Sequence, residues 1–205
     1  MQYGFYFNGA RCIGCRTCVF ACKDYHHLDS DVSFRQVYEY EGGTWEEDGE
    51  GWTPHMFCYH VSLACNHCDD PACTKVCPTG AMHKDEETGI VSVDEDRCIG
   101  CGYCQMACPY NAPAIDKGVG HSVKCDGCKD RVAEGLDPIC VGSCSLRCIE
   151  FGSVDELRAK YGTVADIAPL PDSDMTHPNV VIAVPASARA AEDAEGWIAN
   201  RTEIV

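Results

Sequence analysis

The sequence lacks a surplus of basic residues. Among its 205 residues, 32 Asp and Glu outnumber 16 Lys and Arg, which gives a formal net charge of -16 at pH 7. This is the wrong sign for a protein that follows a phosphate backbone, so no nucleic acid partner is expected. A long apolar run is also missing, because the longest aliphatic stretch, VVIAV at 180–184, is far shorter than the roughly 20 residues of a membrane-spanning helix. We expect no direct membrane span.

Several functional signatures are absent as well. The first residues, MQYGFYFNGARC, contain no basic start, apolar stretch, cleavage site or twin arginine, so no signal peptide is expected and synthesis is expected in the cytoplasm. The sequence has no Ser-His-Asp order, glycine-rich phosphate loop or dinucleotide fingerprint. These absences predict a chain without a catalytic site of its own.

Ordinary apolar residues are scarce, and cysteine is abundant. The apolar share is 45% and includes 18 cysteines; without them it falls to about 36%, which is thin for a single core of this length. A cysteine content of about 9% is typical of chains held together by disulfides or by bound metal.

Sixteen of the cysteines fall into four groups of four, and Cys58 and Cys148 are left over. Written by their spacing, the groups are Cys12-x2-Cys15-x2-Cys18-x3-Cys22, Cys65-x2-Cys68-x4-Cys73-x3-Cys77-Pro, Cys98-x2-Cys101-x2-Cys104-x3-Cys108-Pro and Cys125-x2-Cys128-x11-Cys140-x3-Cys144.

Three kinds of site compete for these groups. Disulfides fit poorly, because a cytoplasmic chain is kept reduced and cysteines so close together cannot all find partners of good geometry. Structural zinc is the stronger alternative, but zinc sites separate their two cysteine pairs by a loop, whereas groups one and three each place four thiols within eleven residues. The spacing C-x2-C-x2-C-x3-C-P is that of the bacterial ferredoxin [4Fe-4S] cluster.

This spacing predicts that clusters occur in pairs. The first three thiolates of such a run hold one cluster, and the fourth reaches the neighbouring cluster. Gly14 and Gly100 precede the second cysteine of their groups, where a positive φ would turn backbone N–H groups toward sulfur. Pro78 and Pro109 follow a fourth cysteine and end its helix. Two paired modules, with four [4Fe-4S] clusters in total, are predicted.

The remaining sequence predicts few regular elements. Strands are expected at 3–7 and 90–93, and a β-hairpin is expected with flanks at 34–40 and 56–63 around a Gly- and Glu-rich tip. A short helix is expected at 153–162, with Ser153 as N-cap and Gly162 as its stop. Four prolines interrupt the chain after residue 163, which predicts an extended arm; a frayed tail is the alternative.

The residues between the cysteines carry a resemblance to a known family. The segments ACKDY, CNHCDDPACTKVCPTGAMHK, VDEDRCIGC, CQMACPYNAP, KCDGCKDRVAEG and APLPDSDMTHPNVVI closely resemble the iron-sulfur subunit of anaerobic dimethyl sulfoxide reductase. That subunit is one of the four-cluster ferredoxin-like electron-transfer subunits of molybdopterin oxidoreductases. The resemblance covers nearly all of the chain.

The resemblance implies an α+β fold of two ferredoxin-like domains with a β-hairpin insertion and an extended C-terminal arm. The first domain would comprise residues 1–56 plus 120–162, with cysteine groups one and four. Residues 57–119, with groups two and three, would form the second, and residues 163–205 the arm.

Carried over residue by residue, the resemblance implies four ligand sets, which we call sites 1 to 4. They are Cys12, Cys15, Cys18 and Cys144 at site 1; Cys65, Cys68, Cys73 and Cys108 at site 2; Cys98, Cys101, Cys104 and Cys77 at site 3; and Cys125, Cys128, Cys140 and Cys22 at site 4.

The sequence departs from the family pattern after Cys144. Ser145 replaces the usual proline, and Cys148 stands where a small residue is more common. Cys140, Cys144 and Cys148 are spaced four residues apart, so in one helix they would share a face, and Cys148 is an alternative ligand to Cys144. Cys58, on the second strand of the predicted hairpin, is expected to be an inert buried thiol.

The resemblance implies a relay of electrons. The partners would be a catalytic subunit with a bis-molybdopterin guanine dinucleotide cofactor and an integral membrane anchor that oxidises quinol, with site 3 nearest the quinol. The protein would be membrane-associated through them, on a side of the membrane that the sequence leaves open. The alternatives are the same relay for a formate dehydrogenase, a sulfur-compound reductase or an aromatic dehydroxylase, or a structural zinc-binding interaction protein.

Basic side chains near the clusters are expected to raise their potentials, since a four-thiolate cluster is an anion. Eight basic residues lie within a few positions of a ligand: Arg11, Arg16, Lys75, Arg97, Lys124, Lys129, Arg131 and Arg147.

Overall fold

The structure is a computed structural model that describes residues 1–204 and combines short helices with four small β-sheets. Its strands are β1 Tyr3–Asn8, β2 Arg35–Glu47, β3 Trp52–Ala64, β4 Met82–Lys84, β5 Val91–Val93, β6 Ala114–Asp116, β7 His121–Val123, β8 Ile149–Ser153, β9 Val180–Ala183 and β10 Gly196–Ile198. Its α-helices are α1 Thr17–Tyr25, α2 Ala72–Lys75, α3 Tyr103–Ala107, α4 Lys129–Ala133, α5 Ile139–Gly142 and α6 Val154–Tyr161. Short 3-10 helices span Glu95–Arg97, Ser173–Met175 and Arg201–Glu203.

Two three-stranded sheets form the larger part of the frame. One has the order β8-β1-β9, in which β8 is antiparallel and β9 parallel to β1. The other has the order β10-β2-β3, with both pairings antiparallel. The pairs β4-β5 and β6-β7 form two small antiparallel ribbons beside cysteine groups two and three.

The N-terminal strand and the helix before the C-terminal segment lie close to their predicted positions. The strand expected at 3–7 is β1, and the helix expected at 153–162 is α6, with Gly162 directly after it. The side chain of Ser153 does not cap α6, because Ser153 is the last residue of β8 and pairs with Tyr3. The Val154 N–H donates instead to the Gln2 carbonyl at 2.9 Å.

Strands β2 and β3 extend further than the sequence indicated. They pair from Arg35 opposite Ala64 to Glu47 opposite Trp52, through the segment expected to be the tip. The turn itself is confined to the few residues around Asp48, whose carboxylate accepts backbone hydrogen bonds. Consecutive glycines did not end the strand, because each still pairs with a residue of β3.

The segment from residue 163 follows both large sheets and contributes β9 to one and β10 to the other. The Tyr59 hydroxyl donates to the Ala168 carbonyl at 2.7 Å, which fastens the start of the segment to β3. Asn179, which is fully buried, donates to the His67 carbonyl at 2.9 Å. Val205, the last residue of the predicted arm, lies outside the described residues.

Cysteine is part of the core itself. The main buried cluster combines side chains from β1, β3 and β9 with thiols such as Cys18, Cys125 and Cys140. A second cluster consists of Cys73, Met82, Val91 and Cys104. Because ordinary apolar side chains are scarce, thiols take up part of the interior.

Among the described residues, none of the helices combines the length and the apolar character that crossing a bilayer requires.

Candidate metal-cluster sites

All 18 cysteines lie within the described residues and carry free thiols. The fold brings the sixteen grouped cysteines together in the combinations that define sites 1 to 4. A cavity of about 350 Å³ is lined by the four thiols of site 1, another of about 350 Å³ by those of site 2, and one of about 320 Å³ by those of site 3. Apart from the thiols, the walls of these cavities are mainly apolar.

The thiols of site 4 are gathered where helices α1 and α5 meet. Burial, and then the neighbouring Cys140 and Cys128 thiols, raise the pKa of Cys22 to about 12. Burial likewise raises the pKa of Cys125 well above its ordinary value, with Cys22 and Cys140 among its neighbours. Four buried sulfur atoms from three distant stretches of sequence therefore share one location.

Each fourth cysteine of a group faces a different site from the first three. Cys18 and Cys22 are four residues apart on α1, yet Cys18 lines the cavity of site 1 while Cys22 interacts with the thiols of site 4. Cys104, on α3, lines site 3, and Cys108, just beyond that helix, lines site 2. The four sites are consequently linked in pairs, 1 with 4 and 2 with 3.

A repeated backbone conformation shapes all four C-x-x-C loops. The residue before the second cysteine has a positive φ in each: 68° at Gly14, 46° at His67, 66° at Gly100 and 72° at Gly127. The prediction of positive φ at Gly14 and Gly100 is confirmed. Glycine takes this conformation without a steric penalty, whereas a side chain needs compensating contacts.

Among the four residues with positive φ before a second cysteine, only His67 is not glycine. Its surroundings supply the contacts that compensate for this conformation. It is fully buried, its Nδ1 accepts the Val91 N–H at 3.0 Å, and its carbonyl accepts from the Asn179 side chain. Burial, and then the charge of Lys124, hold the pKa of His67 well below its ordinary value. His67 is therefore a neutral structural residue of the site 2 loop.

Backbone N–H groups point at sulfur in three of the sites. Cys77 accepts from Met82 at 3.3 Å and Cys98 from Ser122 at 3.3 Å, both at site 3. At site 4, Cys125 accepts from the Gly127 N–H at 3.4 Å. At site 1, Cys144 accepts from Cys148 at 3.2 Å.

Polar side chains add further contacts to several of the thiols. The hydroxyl of Ser62 lies 3.4 Å from Cys18 Sγ, and that of Thr17 lies 3.4 Å from Cys15 Sγ. The Thr17 hydroxyl lowers the pKa of the exposed Cys15 thiol. At site 4, His26 Nε2 lies 3.5 Å from Cys128 Sγ. Such contacts stabilise the thiolate form that binds metal.

The two ungrouped cysteines differ from what the sequence led us to expect. Cys58 is exposed rather than buried, because it faces away from the core side of β3 and pairs with Glu41. Cys148 does not share a helix with Cys140 and Cys144, since α5 ends at Gly142. It lies just before β8 and lines the cavity of site 1 beside Cys144.

Of the eight basic residues singled out by sequence, only Lys124 is buried in the structure. Sequence reasoning missed a second buried cation, Arg35, the first residue of β2. It is thirteen positions from the nearest cysteine, so only the packing of β2 against α1 brings it to the sites.

Comparison with known proteins points to one family. Residues 56–154 match the family described as 4Fe-4S dicluster domain. The sequence is 57% identical to the B subunit of anaerobic dimethyl sulfoxide reductase from Escherichia coli K12 over 203 residues, which is 99% of this chain and 98% of the other. It is 55% identical to the subunit of the same name from Haemophilus influenzae, with 99% of each covered. The thiosulfate reductase electron transfer subunit of Salmonella typhi is 39% identical over 76% of this chain and 78% of its own.

Proposed function

Because this protein belongs to the family of anaerobic dimethyl sulfoxide reductase B subunits, we propose that it holds four [4Fe-4S] clusters and relays electrons through them. Its electrons would come from an integral membrane subunit that oxidises quinol and would go to a molybdopterin catalytic subunit. The chain itself performs no catalysis in this account, and any association with a membrane occurs through its partners.

The proposed ligands are the four thiols of each site, as the resemblance implies. One observation carries this assignment: four thiols line a common cavity, yet among the described residues no three cysteine sulfurs lie within 4.8 Å of one another. A single tetrahedral zinc ion with Zn–S bonds of about 2.3 Å would draw its four sulfurs to roughly 3.8 Å from each other. The wider spacing favours a cluster, whose thiolates bind four separate iron atoms.

A cluster with four thiolate ligands supplies one-electron oxidation and reduction and has no free coordination position for a substrate. The chain provides the surroundings that set the potential. Backbone N–H groups, such as those of Ser122 and Gly127, donate to ligand sulfurs. Such donors stabilise the more negative, reduced state and raise the potential.

The exposure of the ligands supports an order for the relay. Only two of the grouped cysteines are exposed, Cys15 at site 1 and Cys101 at site 3. Beside them, Ile13 and Ile99 are 66% and 65% exposed at matching positions of the C-I-G-C loops. We place sites 1 and 3 at the ends of the relay, in contact with partners, and sites 4 and 2 between them. Site 3 is the end nearest the quinol.

The fourth cysteine of each group lies at the other site of a pair, and this exchange supports two ferredoxin-like domains. In this proposal, residues 1–56 and 120–162 form the domain with sites 1 and 4, and residues 57–119 form the domain with sites 2 and 3. The hairpin β2-β3 is an insertion, and the segment from residue 163 is a C-terminal arm, whose described part binds β3 through Tyr59 and the site 2 loop through Asn179.

The near full-length identity with dimethyl sulfoxide reductase subunits favours a catalytic partner of that type. The match to a thiosulfate reductase subunit is weaker and shorter, as is a 34% match to a formate dehydrogenase iron-sulfur subunit from Haemophilus influenzae. The relay role is the same for each of these partners.

The relay can be tested in the assembled complex by replacing one ligand at a time. Cys101→Ser and Cys128→Ser should abolish quinol-dependent reduction of dimethyl sulfoxide, because each interrupts the series of clusters. They should leave reduction intact when an artificial donor reduces the catalytic subunit directly. The matched control is Cys58→Ser, an exposed cysteine outside the four sites. Full quinol-dependent activity in the ligand variants would refute the relay.

A further inference from the structure

Arg35 is a buried cation at the boundary between two of the proposed cluster sites. Its side chain is 2% exposed, although arginine is almost never buried without partners that compensate its charge. Its guanidinium lies over the ring of Phe5, with 4.9 Å between its carbon and the ring centroid. No carboxylate forms an ion pair with it among the described residues. The negative charge that compensates it must come from another source.

The hydrogen bonds of Arg35 are incomplete within the protein. Its Nη1 donates to the backbone carbonyl of Ser62 at 3.2 Å and to the Ser62 hydroxyl at 3.1 Å. Its Nε and Nη2 are buried and have no hydrogen-bond partner within the described part of the chain. Buried guanidinium donors without acceptors are costly, so their presence indicates acceptors that bind at this place.

The guanidinium interacts electrostatically with cysteines of two sites. Burial opposes the charge of Arg35, but the thiol groups of Cys140, Cys18, Cys125 and Cys22 raise its pKa. Cys18 belongs to site 1, and the other three belong to site 4. The Ser62 hydroxyl that Arg35 holds also lies 3.4 Å from Cys18 Sγ.

Lys124 occupies the corresponding place between sites 4 and 2. It is 5% exposed, and its Nζ donates to the carbonyls of Val91 and Cys125. Its charge acts on Cys125 of site 4 and on Cys73 and Cys108 of site 2. It forms no ion pair with a carboxylate among the residues described.

We propose, on the basis of the function proposed above, that Arg35 and Lys124 are buried charges that set the potentials of the clusters on either side of them. Arg35 neutralises part of the negative charge at the junction of sites 1 and 4, and its free donors bind the sulfur of those clusters. Lys124 neutralises part of the negative charge at the junction of sites 4 and 2, where its Nζ is held by two backbone carbonyls. A buried cation favours the reduced, more negative state of both neighbours, so it raises their potentials together.

The pairwise effect gives this proposal a distinctive test. The measurement is a redox titration of the intact complex followed by electron paramagnetic resonance, with each signal assigned through a ligand variant of its site. Arg35→Gln should lower the potentials at sites 1 and 4 and leave sites 2 and 3 unchanged. Lys124→Gln should lower those at sites 4 and 2 and leave 1 and 3 unchanged. We expect about a tenfold fall in each reduction equilibrium, which is about 59 mV for one electron.

Two further variants separate charge from packing. Arg35→Lys keeps the charge and should keep the potentials at sites 1 and 4 close to those of the unaltered chain. Lys117→Gln is the control for a cation exposed to solvent, since Lys117 is paired with Asp31 at the surface, and it should shift no signal. If Arg35→Gln loses iron at sites 1 and 4 while Arg35→Lys retains it, the result shows that these two clusters need a positive charge at position 35.

The outcomes distinguish this proposal from the one on which it rests. Unchanged potentials in Arg35→Gln, or loss of iron in both Arg35 variants, would overturn the role of the buried charge. Neither result would contradict the proposal that the unaltered chain holds four clusters. An unaltered chain without iron-sulfur clusters would instead overturn the proposed function.

Discussion

The hydroxyl oxygen of Ser122 lies 3.3 Å from the sulfur of Cys104, and both side chains are buried. At site 1, Ser62 stands in the same relation to Cys18. In both cases the serine comes from a strand and the cysteine is the third of its group. Each of the two outer sites of the proposed relay therefore has a serine hydroxyl beside the sulfur of its third cysteine.

Replacing Ser122 should change the potential of one cluster, because its hydroxyl can donate to Cys104 when that sulfur is a thiolate ligand. Ser122→Ala removes the hydroxyl but keeps the backbone N–H that donates to Cys98. Without the hydroxyl, the reduced cluster loses about 1 kcal/mol of hydrogen-bond stabilisation. This loss corresponds to a potential at site 3 that is lower by roughly 40 mV. Redox titration of that cluster checks this, with Ser187→Ala, a half-buried serine outside the four sites, as control. An equal potential in both variants would show that the hydroxyl has no effect.

Cys144 and Cys148 should behave differently when each is changed to serine. Both line the cavity of site 1. The backbone N–H of Cys148 donates to Cys144 Sγ at 3.2 Å, and the spacing of three residues before the fourth cysteine, common to all four groups, assigns Cys144 as the ligand. Cys144→Ser should lose one cluster from the iron content, and Cys148→Ser should lose none. The opposite result would make Cys148 the ligand.

The sequence specified the sites more completely than it specified their surroundings. Ligand spacing is local, so the C-x-x-C loops and the positive φ at Gly14 and Gly100 could be predicted from a few neighbouring residues. The positive φ of His67 was not predicted, because its contacts come from distant Val91 and Asn179. Arg35 could not, because its proximity to sites 1 and 4 depends on how β2 packs against α1. The exposure of Cys58 also depends on which face of β3 meets the core. The position of Arg35 and the exposure of Cys58 both depend on long-range packing and strand pairing, which no local sequence pattern predicts.

Asn179 should anchor the C-terminal segment to the site 2 loop. Its buried amide donates to the His67 carbonyl and to Asp69 Oδ1, both at 2.9 Å. Asn179→Ala removes both hydrogen bonds and should lower the free energy of unfolding by about 1–3 kcal/mol, because the His67 carbonyl then stays buried without this partner. Since 1.4 kcal/mol corresponds to a factor of ten, we expect iron release under mild denaturant to be about fivefold to 140-fold faster. Thr163→Ala, at an exposed position, should release iron at the original rate, and equal rates in both variants would contradict the anchor.

The attachment of β10 should weaken at alkaline pH. The Tyr40 hydroxyl donates to Asp193 Oδ2 at 2.8 Å, and burial followed by this bond raises the pKa of Tyr40 to about 12. Because the folded pKa exceeds the ordinary value of about 10, the stabilisation is complete below pH 10 and is lost as the pH rises toward 12.

Limited proteolysis of the C-terminal segment across this alkaline range measures the effect. In the unaltered chain, cleavage should accelerate as Tyr40 ionises. Tyr40→Phe should be cleaved faster at neutral pH, since a hydrogen bond to a charged group contributes about 1.5–3 kcal/mol, and should show less acceleration above pH 10. An identical alkaline response in both proteins would assign the titration to another group.

The most direct test of the central claim is the metal and sulfide content of the anaerobically purified chain. Four [4Fe-4S] clusters predict about 16 iron atoms and about 16 acid-labile sulfides per chain. Little iron, no labile sulfide and about four zinc ions per chain, one for each set of four thiolates, would contradict the account.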